Sequence, residues 1–141
     1  MNIIQLLTTD HRRVDDIINQ LKASDGMDTQ LVLQLEQEIK MHSQIEETIV
    51  YPELSKHPET ADLITEAYEE HEEVDELLAQ LKAGGAVSQP VLQELAESLN
   101  HHVTEEESEL FPLATQVLGE GRLIEMGGKA AEMKQSGLRA A

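Results

Sequence analysis

Apolar residues recur along this chain at alternating intervals of three and four, the spacing that lines one face of an α-helix. In the first stretch Leu7, His11, Val14, Ile18 and Leu21 keep that rhythm and predict a helix over residues 3–22. Ser24, Asp25 and Gly26 supply a stop, and Asp28 a cap for the next helix. A second seam of Val32, Leu35, Ile39, His42, Glu46 and Ile49 predicts a helix over 29–51. Pro52 ends or kinks it, and a crossing loop follows over 54–58. The third helix, 59–82 with Pro58 near its first turn, presents Ile64, Ala67, His71, Val74, Leu78 and Leu81 before Gly84 and Gly85 close it. The fourth starts from a cap on Ser88 with Pro90 in its first turn. It lines up Leu95, Leu99, His102, Glu106, Leu110 and Leu113. Beyond Gly119 and Gly121, residues 122–135 suggest a short fifth helix on Leu123, Ile124 and Met126, weakened by Gly127 and Gly128. The tail that follows is expected to fray.

These stretches repeat with an offset of 60: Ile4 matches Ile64, Val14 matches Val74, Leu35 matches Leu95 and Pro52 matches Pro112. Two related helical hairpins joined by short loops predict an all-α fold, an up-down-up-down four-helix bundle with an internal two-fold repeat. The bundle is assigned to residues 1–118 and a C-terminal extension to 119–141. Composition agrees: the 141 residues suffice for one domain, and aromatics make up only 2 %, which disfavours sheet.

A net charge of −18 repels phosphate backbones and anionic lipid, so neither nucleic acid nor membrane is an expected partner. The absence of cysteine excludes disulfides, zinc fingers and iron–sulfur clusters. The N-terminus is too polar for a secretory signal and no run approaches a membrane span, so a cytoplasmic location is expected.

The chemistry lies where polar residues interrupt the apolar seams. His42 and Glu46 are four apart on one helical face, as are His102 and Glu106. His11 precedes His42 by 31 residues, and His71 precedes His102 by 31. One buried histidine is ordinarily a hydrogen-bonded core residue. Six ionisable residues in matching register on all four interior stripes need a common cause, because burying one unpaired charge costs several kcal/mol while metal binding returns ~10 kcal/mol or more. Each hairpin is expected to supply two His and one Glu, a 2-His-1-carboxylate set suited to non-haem iron(II). Two such sets form a dinuclear centre with Glu46 and Glu106 as inferred bridges. Allowing a bridging oxide or hydroxide, a six-coordinate pair keeps two positions for water, O2, peroxide or NO. Nitrogen and oxygen donors also accept zinc or manganese.

Neighbouring residues are read as supports. Glu47 and Glu107 sit about 100° off the ligand face, placed for salt bridges or hydrogen bonds to histidine. His101 is assigned to the surface or to such support, His57 to a solvated loop, and Tyr68 to packing.

Asp10-His11-Arg12-Arg13-Val14-Asp15, His42 through Glu46-Glu47 to Tyr51-Pro52, Glu70-His71-Glu72-Glu73-Val74-Asp75, and His102 through Glu106 to Phe111-Pro112 together resemble the hemerythrin family, specifically bacterial domains of the HHE cation-binding type. The resemblance covers roughly residues 3–118. It implies a bundle with two iron ions bridged by oxide or hydroxide, reactive toward O2 or related diatomics. His11, His42, His71 and His102 carry over as terminal ligands, with Glu46 and Glu106 as bridges. Oxygen-carrying members use a fifth histidine where this chain has Ala67, and place their last carboxylate at the position of Glu107. That departure leaves one iron more open to water and favours peroxide chemistry, NO binding or iron sensing over O2 storage. A catalase-like or peroxidase-like enzyme and an iron- or oxygen-sensing regulatory domain are the alternatives.

Overall fold

The computed structural model describes residues 1–24, 27–85 and 88–140, with side chains through residue 137. All its regular structure is helical. α1 spans Ile3–Ala23, and α2 spans Thr29–Ile45. A single wide π turn at Glu46–Val50 then leads without a break into the short α3, Tyr51–Leu54. α4 covers Ala61–Ala83 and α5 covers Ser88–Glu105. A second π turn, Glu106–Leu110, leads into α6, Phe111–Leu118, and α7 runs over Glu120–Ala140. α1 packs on α2, α4 on α5, α2 on α4 and α1 on α5, which closes an all-α bundle.

Local chemistry explains the helix starts. Asn2 accepts from the Gln5 amide at 2.9 Å while the Gln5 side chain accepts from the Asn2 amide at 3.0 Å, a reciprocal cap the seam alone did not reveal. Asp28 caps α2 as expected, accepting from the amides of Gln30 and Leu31. Of the expected stop, Asp25 and Gly26 lie outside the described residues. The third helix starts at Ala61 rather than residue 59, because a turn held by Thr60 Oγ1 donating to the Leu54 carbonyl occupies the preceding residues.

Pro52 does not end the second helix. The Tyr51 amide reaches back five residues to the Glu46 carbonyl, and the widened turn accommodates the proline ring that would collide with a tight α-turn. Pro112 sits in the same arrangement, with the Phe111 amide bonded to the Glu106 carbonyl. Each π turn advances the buried face by one residue. Val50 rather than Ile49 is fully buried, and Ala114 rather than Leu113.

α7 spans Glu120–Ala140, longer than the 122–135 expected. Leu123, Met126 and Ala130 enter the core, whereas Ile124 is 54 % exposed and takes no part. Gly119, at φ 81°, makes the one-residue corner between α6 and α7. Gly127 lets α7 lie against the chain start: a methyl there would meet the Met1 carbonyl and Asn2.

Two apolar clusters divide the interior. One gathers Leu7, Ile45, Tyr51, Ala67, Leu110 and Met126, the other Ile18, Ile39, Val74, Leu78 and Leu95. Along the chain, each of the four seam histidines lies between a residue of one cluster and a residue of the other. No described helix is long and apolar enough to cross a membrane.

Candidate metal centre

His11 on α1, His42 on α2, His71 on α4 and His102 on α5 are all buried, as are Glu46 and Glu106 at the mouths of the two π turns. The structure brings all six side chains together. Glu46 Oε1 lies 3.3 Å from His42 Nε2, 3.0 Å from His71 Nε2 and 3.9 Å from His102 Nε2. Glu106 offers Oε1 to His11 Nε2 at 3.0 Å and Oε2 to His102 Nε2 at 3.3 Å. Each carboxylate thus touches histidines of both halves. Two compact sets result, His11–His42–Glu106 and His71–His102–Glu46, with donor atoms in each within 4.8 Å of one another. Each hairpin supplies two His and one Glu, and in each compact set the carboxylate also reaches across from the opposite half, a contact that spacing within one helix cannot disclose.

Every imidazole is gripped from behind. Nδ1 of His11 meets Glu107 at 2.7 Å, that of His42 meets Asp10 at 3.0 Å, that of His71 meets Glu47 at 2.7 Å and that of His102 meets Glu70 at 2.6 Å. A carboxylate only accepts, so Nδ1 carries the proton and donates it outward. In the neutral ring Nε2 is then a bare lone pair facing another acceptor. His42 Nε2, Glu46 Oε2 and His102 Nε2 have no hydrogen-bond partner among the described residues. Opposed lone pairs in a buried pocket require positive charge between them. Two ligands ~2.1 Å from one cation and at right angles stand ~3.0 Å apart, the separation found at His11–Glu106 and His71–Glu46. The residues fit a cation.

Without one, the pocket recruits protons. Burial disfavours the charged form of His42, yet the Glu46 carboxylate, hydrogen bonding to Asp10 and Glu46, and the charge of Glu106 push it up to about 10. His71 and His102 are raised against the same burial penalty, His71 by Glu46 and His102 by Glu106.

Glu47 and Glu107 support histidines, as their angular offset indicated. His101 is on the surface, with Nε2 3.3 Å from Glu70 and 3.4 Å from Glu105. Three residues escaped the sequence reading. Asp10 and Glu70 immediately precede His11 and His71 and share the repeat offset, which was a usable signal. Tyr51 is fully buried and donates its hydroxyl to Glu106 Oε2 at 2.7 Å, with His71 Nε2 at 3.3 Å. Its repeat counterpart is Phe111, which stacks on His11 with ring centres 6.0 Å apart. Tyr68 packs edge-on against the Tyr51 ring and backs it rather than reaching the carboxylates. A cavity of about 40 Å³ adjoins the four histidines, with Val74, Leu99 and Val103 among its walls.

A helical bundle whose centre opposes four imidazoles to two carboxylates defines a cation-binding protein of the all-α class. The chain matches the family described as hemerythrin HHE cation binding domain over residues 2–114. It is 30 % identical over 133 residues to an uncharacterized hemerythrin-like protein of Schizosaccharomyces pombe, a match covering 89 % of this chain and 66 % of that relative. No solved structure matches. The chain belongs to the hemerythrin HHE cation-binding domain family.

Proposed function

We propose that this chain binds two iron ions, bridged by Glu46 and Glu106, and that the loaded protein reacts with O2 or a related small molecule such as peroxide or NO in the cytoplasm. The observation that carries this reading is the opposition of inward-facing Nε2 lone pairs to buried carboxylate oxygens. His11, His42 and Glu106 would hold one ion, and His71, His102 and Glu46 the other. Iron supplies the one-electron chemistry that the side chains lack.

The protein's own part is orientation and exclusion. Glu107, Asp10, Glu47 and Glu70 fix the four ring tautomers and aim Nε2 inward. The 40 Å³ cavity, walled in part by Val74 and Leu99, has room for a small molecule beside the four histidines. The test is iron analysis together with absorption spectra of the reduced protein before and after O2. Two irons per chain and new near-ultraviolet absorption on exposure are expected. Zinc in place of iron after growth with both metals would overturn the assignment.

A second reading, turnover of hydrogen peroxide, draws support from Tyr51, which holds a proton 2.7 Å from Glu106 inside the pocket. O2 evolution from added peroxide, in proportion to iron content, separates an enzyme from a binding protein.

A further inference from the structure

The ring of outer carboxylates obeys the internal repeat, but its counter-charges do not. Behind His11, Glu107 receives a two-pronged contact from Arg12, Nη1 at 3.2 Å and Nη2 at 3.0 Å. Behind His42, the buried Asp10 is paired with Lys134 of α7. Behind His71 and His102 the matching carboxylates, Glu47 and Glu70, pair with no lysine or arginine among the described side chains. The asymmetry is written in the chain. The counterpart of Arg12 is Glu72, and Lys134 has no counterpart because α7 lies outside the repeat.

A carboxylate accepting from Nδ1–H makes Nε2 of the same ring a better donor to a cation. A cation on the far side of that carboxylate withdraws part of the effect and adds its own repulsion toward a dication. Both influences act on the first set through permanently charged groups, whereas behind the second the one counter-group is the exposed imidazole of His101, 3.3 Å from Glu70. We infer that the two cation positions are unequal: His71–His102–Glu46 binds tightly, His11–His42–Glu106 binds weakly, and Arg12 and Lys134 are positioning residues that set the difference. This inference rests on the two-ion reading given above.

Titration of the full metal-free chain with Co2+, followed by calorimetry and visible absorption, tests it. Two ions are expected in two steps about tenfold apart, since supports of this kind change metal affinity by ~10–100-fold. His71→Ala removes the tight step and His42→Ala the weak one. Lys134→Met and Arg12→Met each tighten the weak step several-fold and leave the tight step in place, while Lys134→Arg behaves as the parent. Arg12 has a largely exposed side chain, so its variant tests the idea even where loss of Lys134 disturbs folding. Two ions of equal affinity, loss of the tight step in His42→Ala, or no tightening in Arg12→Met overturns the inequality while leaving the two-ion reading intact. One ion or none overturns both.

Discussion

Tyr51 donates its hydroxyl to Glu106 across the internal repeat, at 2.7 Å, although its partner position in the other half is a phenylalanine. The bond ties the end of one helix pair to the carboxylate of the other. Tyr51→Phe keeps the ring, its packing on Tyr68 and the fold, at a cost of about 1.5–3 kcal/mol for the lost hydrogen bond to a buried carboxylate. If the phenol supplies a proton during peroxide decomposition, the variant should retain its iron and lose at least ~100-fold in rate, measured by stopped-flow. An unchanged rate would remove Tyr51 from the chemistry.

Because each carboxylate contacts histidines of both halves, loss of a carboxylate should reach both positions, whereas loss of one histidine should stay local. His42→Ala and Glu106→Ala are each expected to lose at least one of the two irons, by elemental analysis. Glu106→Ala also strips the partner of Tyr51 and His11, so it should be the more severe of the two. Full iron content in either variant would refute the ligand assignment.

Metal-free protein should respond to alkali in a defined window. The buried His42 imidazole rises on folding from 6.5 to about 10, so its contribution to stability is complete below the lower value and disappears as pH climbs through the upper. His71 and His102 shift in the same direction. Scanning calorimetry should therefore show the melting temperature falling progressively between about pH 6.5 and about pH 10. Iron-loaded protein should be nearly flat over that range, because bound cations replace the protons. A flat metal-free profile would mean that the imidazoles are not held protonated.

The contacts of α7 separate its buried face from its exposed one. Met126 is fully buried, and Met126→Ala is expected to cost about 2–4 kcal/mol in urea unfolding. Ile124→Ala, at a position 54 % exposed, should change stability by less than about 0.5 kcal/mol. Gly127→Ala should destabilise although alanine is the better helix former, because its methyl runs into the Met1 carbonyl.

Much of this organisation was legible in the residues. The repeat offset, the three-and-four seams and the register of His11, His42, His71 and His102 suffice to foresee a bundle and a polar centre. What stayed hidden depended on distance in space or on a backbone event without a compositional mark. Pro52 reads as a stop because a tight turn cannot hold it, yet the π turn can. Tyr51 was passed over because an unbroken helix points it away from the seam. The reach of α7 was underestimated from Gly127 and Gly128, yet the helix runs through both, and at Gly127 the missing side chain admits Met1 and Asn2. The crossing of Glu46 and Glu106 between halves needed all four helices in place.

The two π turns also bear on any attempt to transplant this pocket. Six donors copied onto straight helical rods at the same sequence intervals would keep His42 and Glu46 in line, but everything after them would arrive about 100° out of phase. The Tyr51 hydroxyl would then swing away from Glu106, and Leu54 would turn out of the apolar core. A scaffold designed to host this chemistry must therefore inherit the irregular backbone along with the side chains.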